Sequence, residues 1–131
     1  MSEMAANSTN IIYPDLSYKI MGAIFEVHKT LDRRFKESIY EKALIKELTL
    51  RGFKIEVQKS IPVIYKGEKV GLHKLDLVVE DKLVIELKAV EAFSPHHRNQ
   101  LLSYLKAGGY KLGILVNFSK SKVEYSRVVV T

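Results

Sequence analysis

The 131-residue chain is long enough to bury one core and too short for a separate substrate domain. Hydrophobic residues make up 47% and charged residues 27%, which argues against general disorder. The absence of cysteine excludes disulfides, thiolate nucleophiles and cysteine-ligated zinc, and suits a cytoplasmic protein. A net charge of +6 favours polyanionic partners such as nucleic acid, and no apolar run approaches the ~20 residues that span a bilayer, so no membrane association is expected.

Residues 1–14 are polar and rich in small side chains and read as a mobile leader without chemistry, leaving 15–131 as a single domain. Ile20, Ala23, Ile24, Val27 and Leu31 recur at three- and four-residue intervals after Ser17, a candidate N-cap, and predict a helix over 18–31. A second helix is expected over 35–51, with Ile39, Tyr40, Ala43, Leu44 and Leu48 as its apolar stripe and Gly52 as its stop. Glu37 falls at a helical angle between Leu44 and Leu48, and Glu41 borders the same stripe. Glu47 also points toward it, but lies near the helix end, where it escapes to water more easily. A carboxylate so placed must reach solvent, pair with a base or coordinate something, because uncompensated burial costs several kcal/mol.

The apolar period then changes to two. Strands are predicted over 53–57 and 61–65, with a turn at Lys66-Gly67-Glu68, and over 74–79 and 83–88 around Glu80-Asp81-Lys82. Ser94 and Pro95 open a third helix over 95–107 that stops at Gly108-Gly109, and strands over 111–118 and 123–130 finish the domain. This order makes an α/β sandwich, a central mixed sheet flanked by helices. The glycines lack the spacing of a dinucleotide or Walker loop.

The hairpin over 74–88 is the most informative stretch, because strand side chains alternate between faces. If Val79 and Leu83 close a three-residue loop, Leu75, Leu77, Val79, Leu83, Ile85 and Leu87 share one aliphatic face and must be core. On the other face Asp76 lies across from Glu86, with Lys88 two residues further along. Opposed carboxylates with Cβ atoms ~5 Å apart repel unless a cation sits between them. Mg²⁺ suits that position, with Mn²⁺ as the alternative, because it takes oxygen ligands, needs only one or two carboxylates and keeps waters that can become nucleophiles. The competing reading is a half-exposed hairpin with solvated charges facing outward.

On the third helix His97, Gln100 and Tyr104 form one polar and aromatic stripe beside a core face of Leu101, Leu102 and Leu105, within reach of a bound phosphate. Its own alternative is a partly exposed helix flank. His73, His96 and His97 raise the question of a transition metal, but adjacent His96 and His97 point about 100° apart on a helix.

A helical glutamate, Asp76, the Glu86-Leu87-Lys88 triplet, and Gln100 followed by Tyr104 together resemble the PD-(D/E)XK nuclease superfamily, the last pair its RecB-like and lambda-exonuclease branch. More closely, Phe35-Lys36-Glu37-Ser38-Ile39-Tyr40, residues 83–90, and Ser94-Pro95-His96-His97 resemble the small prokaryotic GxxExxY family assigned to it, over about residues 18–119. The family's leading glycine corresponds to Arg34 here. The resemblance implies a restriction-endonuclease-like fold. It also implies Asp76 and Glu86 as metal ligands, Lys88 as the residue assisting the water, and Glu37 as an added ligand with Glu41 in reserve. The leading expectation is a Mg²⁺-dependent nuclease acting on DNA, as a homodimer. The alternatives are a non-catalytic nucleic-acid-binding or regulatory module that keeps the fold, and a protein-interaction subunit that uses the charged hairpin face.

Overall fold

The computed structural model describes residues 12–131. The expected leader falls mostly on residues 1–11, outside the described residues; Ile12 and Tyr13 already pack on the core. Helix α1 spans Pro14–Leu31. It opens with Pro14 in its first turn, where the missing N–H costs nothing, and Asp15 beside it faces the positive end of the helix dipole. Ser17 is therefore not the N-cap. It lies buried one turn inside the helix, where its hydroxyl accepts from Arg127 Nη2 at 3.2 Å.

Helix α2 spans Glu37–Leu50 and buries Tyr40, Leu44 and Leu48, with Gly52 in the left-handed conformation just beyond its end. Ile39, expected in the apolar stripe, is exposed. Glu47 pairs with Arg51 one turn on, at 2.7 Å, and belongs to the helix surface.

Strands β1 (Ile55–Tyr65), β2 (Glu68–Val79), β3 (Leu83–Lys88), β4 (Leu112–Asn117) and β5 (Glu124–Val129) form one sheet in that order, and helix α3 (Pro95–Gly108) connects β3 to β4. All neighbours are antiparallel except β3 and β4, whose parallel pairing needs the α3 crossover. The two short strands expected over 53–57 and 61–65 are one continuous β1. Its left-handed residue, Gln58 with φ of 52°, does not end the pairing, because β2 runs unbroken opposite it.

The sheet is covered on both faces. Leu77, Val79, Leu83, Ile85 and Leu87 meet Ile20, Ile24, Tyr40 and Leu44 of α1 and α2, while Val78, Val84 and Leu115 meet Leu101 and Leu105 of α3. This corrects two expectations. The hairpin is not half-exposed, since β3 is buried from Leu83 to Leu87. Leu75 also leaves the face of Leu77 and joins Ile61, Leu101 and Leu105 in the second cluster. Strict alternation fails there, where β2 parts from β3 beyond Leu77 and β1 turns left-handed at Gln58. Gly113 lets α3 lie close to the sheet: a Cβ there would stand 3.0 Å from Leu101 Cδ2.

Candidate active site

The turn between β2 and β3 sets the register. Glu80 and Asp81 both take positive φ, and Lys54 braces them: its N–H donates to Glu80 Oε2 at 2.6 Å and its ammonium pairs with Asp81 at 2.9 Å. Val79 then pairs with Leu83 and Leu77 with Ile85, the three-residue-loop register expected from the sequence. Regular pairing ends at Leu77, one residue before Asp76. From there the side chains replace the ladder: the Asp76 N–H donates to Glu86 Oε1 at 3.2 Å, and the Leu87 N–H donates to Asp76 Oδ2 at 2.9 Å. The two carboxylates thus fill the fork where the strands separate, and each takes an N–H that would otherwise go unpaired.

Glu86 is only 5% exposed, and neither it nor Asp76 forms a salt bridge among the described residues. Burial, and after it the Asp76 charge, pushes the Glu86 carboxyl up to about 8, while the Asp76 N–H and Lys88 work the other way. Burial also raises Asp76, opposed by its bond from Leu87. Glu37 stands in the first turn of α2, accessible to solvent yet desolvated enough, and close enough to Asp76, for its carboxyl to be raised as well. The Lys88 charge is felt by Glu37, Asp76 and Glu86 alike, which places it with them. Glu41, one turn along α2, accepts from Gln58 Nε2 at 2.9 Å, and the same amide nitrogen lies 3.4 Å from Asp76 Oδ1.

Tyr40 explains how α2 is aimed. Its ring stacks on Phe118, and its hydroxyl donates to the Asp32 carbonyl and accepts from the Phe35 N–H, pinning the turn that leads into Glu37. A glutamate three residues before this tyrosine sits on the exposed end of an anchored helix.

The α3 residues divide. The Tyr104 hydroxyl is raised by burial and then by Glu86 and Asp76, so it borders the carboxylates, with the Gln100 side chain beside it working the other way. Its ring lies 4.4 Å from that of His73. His97 Nδ1 accepts from the Ser94 N–H at 3.0 Å and closes the capping box, so half of its imidazole is committed to the helix start. Burial and the Lys88 charge lower its pKa. Gln58 was missed in the sequence: it falls between two expected strands, and its type does not announce a left-handed backbone.

A match to the PD-(D/E)XK nuclease superfamily spans residues 14–128. The chain belongs to that superfamily. PD-(D/E)XK proteins are nucleases that generally use divalent metals, and nucleic acid is the substrate such a family implies. Their restriction-endonuclease-like fold is the mixed sheet and flanking helices seen here. The chain is also similar in structure to a solved protein described as SSO0001, with a TM-score of 0.57 and 23% sequence identity, a likeness of fold. That match covers 71% of this chain and 50% of the other, so the chain spans about half its length. No functionally curated protein matches. No helix among the described residues is long and apolar enough to cross a membrane.

Among the described residues, no three histidine, cysteine, aspartate or glutamate side chains form a ready metal cage. The histidines follow suit, with His96 and His97 ring centroids 6.3 Å apart and His73 against Tyr104. The donor set nevertheless fits a hard cation of the PD-(D/E)XK kind. Mg²⁺ binds through one or two carboxylates and completes its shell with water, and Asp76 and Glu86 are neighbouring carboxyl groups at one strand fork without a basic partner in salt-bridge range.

Proposed function

We propose that the chain is a Mg²⁺-dependent nuclease that hydrolyses phosphodiester bonds of DNA, with Mn²⁺ able to substitute. The observation that carries this reading is the Asp76 and Glu86 arrangement at the strand fork, two desolvated carboxyl groups, one of them pushed up to about 8, with Lys88 beside them. Such an arrangement holds a proton in the apo protein and gains stability when a cation takes that proton's place. Asp76 and Glu86 would hold the ion, with Glu37 as a further oxygen donor and Glu41 in reserve. When bound, it supplies Lewis acidity and an acidified water.

The chain's own residues do the remainder. Lys88 orients the attacking water in line with the leaving oxygen and steadies a phosphate oxygen. His97, through the ring nitrogen not used in capping, together with Gln100 and Tyr104, contacts phosphates of the bound strand from α3. The net charge of +6 draws that strand in. The Glu37 and Tyr40 pair on α2 supports the finer placement in the GxxExxY family. A cytoplasmic setting suits the cysteine-free sequence, and a homodimer would enlarge the surface offered to DNA, which light scattering tests.

Titration calorimetry with Mg²⁺ and Mn²⁺, paired with cleavage assays on single-stranded, duplex and branched DNA and on RNA, tests the reading. Ion binding with cleavage of DNA supports it. A protein that binds neither ion and cleaves nothing is instead a non-catalytic nucleic-acid-binding module, the reading favoured by the lack of a ready three-residue cage.

A further inference from the structure

Gln58 is the one residue of β1 with a left-handed backbone, φ 52°, and nothing in the register requires it. Gln58 and Asp76 do not pair with each other, yet Val57 pairs with Leu77 and Lys59 with Leu75, so the offset is the same on both sides of Gln58 and no extra residue is accommodated; the shift in register lies elsewhere, at Val63 and Ile64. A non-glycine residue held left-handed is strained, because its Cβ crowds the backbone. Glycine or asparagine would take this conformation more readily. What glutamine adds is its amide, whose Nε2 reaches Glu41 at 2.9 Å and lies 3.4 Å from Asp76. Each of its two N–H groups has one carboxylate to face.

We infer that Gln58 is a positioning residue, a neutral clamp that ties Asp76 at the strand fork to Glu41 on α2 and so fixes the separation of sheet and helix carboxylates across the site. Neutrality is the point of the choice. Lysine or arginine at this position would also bridge the two acids, but would cancel the negative charge that attracts a cation. An amide holds them without doing so. A rival explanation is purely structural: the left-handed turn helps β2 swing Leu75 onto the α3 side. The two differ in what glycine would do, because glycine keeps the backbone and removes the clamp.

This inference rests on Asp76 being a metal ligand, and the test separates the two ideas. Wild type, Gln58→Gly and Gln58→Asn are compared as full-length proteins by Mn²⁺ calorimetry, apo thermal unfolding and metal-dependent cleavage. Asparagine tolerates the backbone but is one methylene too short to span both acids. Both variants are expected to fold with apo stability at or above wild type, to bind Mn²⁺ about tenfold more weakly, as loss of a bond that orients a ligand does, and to lose kcat at limiting Mn²⁺ with KM for DNA unchanged. Saturating Mn²⁺ should restore most of the rate. Gln58→Gly with wild-type Mn²⁺ affinity and cleavage overturns the clamp and leaves the metal reading standing. Wild type that binds no Mn²⁺ overturns the metal reading and the clamp with it. Should Gln58→Gly fail to fold, Gln58→Asn alone decides by the same affinities.

Discussion

Tyr40 and Phe118 lie face to face, ring centroids 4.6 Å apart and planes 7° from parallel, and so join the start of α2 to the end of β4. The stack carries the packing, while the hydroxyl carries the aim of the helix through Asp32 and Phe35. Tyr40→Phe keeps the first and loses the second. It should cost about 1–2 kcal/mol by leaving two backbone groups without partners, lowering the urea midpoint with an unchanged slope. Cleavage should fall further than this loss of stability explains, because Glu37 is no longer held.

Glu86 makes stability fall as pH rises. Its carboxyl titrates near 8 in the fold against an ordinary 4.5. Between those values the folded protein holds a proton that the unfolded chain has released, so unfolding is progressively favoured up to about pH 8. Asp76 and Glu37, both raised, add in the same direction. Thermal unfolding in a chelating buffer from pH 5 to 8.5 should show a falling midpoint, and Glu86→Gln should flatten most of the slope. A midpoint that rises over this range contradicts the account.

Cation binding should be linked to the same proton. Below pH 8 each ion bound displaces it, so apparent Mn²⁺ affinity should rise by up to about tenfold per pH unit and then level off. Calorimetry in buffers of different ionisation enthalpy counts the protons released, and a count near zero at pH 6.5 would speak against Glu86 as a ligand.

Asp76→Asn and Lys88→Ala should fail differently. The asparagine variant should fold at least as well as wild type without metal, having lost a desolvated carboxylate, but should show neither ion-induced stabilisation nor cleavage. Lys88→Ala should retain Mn²⁺ binding, since a nearby positive charge has been removed, while losing at least about 100-fold in cleavage rate.

Affinity for DNA should fall steeply with salt. Four to six phosphate contacts predict roughly a 150- to 2000-fold loss between 50 and 200 mM salt. Fluorescence anisotropy with Lys88→Ala, which should not cleave its ligand, measures the slope, and binding indifferent to salt would remove nucleic acid as the partner.

The placement of the candidate hairpin residues was legible because it is local. Asp76, Glu86 and Lys88 lie on one hairpin whose register follows from a three-residue turn, and Val79 does pair with Leu83. The helices were legible from their stripes and stops, with errors where a residue's environment is set from afar, as for Ser17 under Arg127. Long-range pairing was not legible. The parallel partner of β3 arrives only after α3, and it is β4 and α3 that bury the second face of the hairpin. Val78 and Val84, apolar on the same face as Asp76 and Glu86, were the available sign that this face is covered. Gln58 gave no sign, since nothing in its neighbours shows that a glutamine will be held left-handed.

The outer side of β1 has a consequence for behaviour in concentrated solution. Among the described residues β1 is the first strand of the sheet and has a strand neighbour on one side only along its eleven residues, and Ile64 and Tyr65 near its end are exposed. A flat edge of this length is a template for strand-to-strand aggregation. Here the left-handed Gln58 breaks the extended backbone and Pro62 lacks an N–H, leaving no long uninterrupted run to copy. Gln58 thus also guards the protein against sticking to itself.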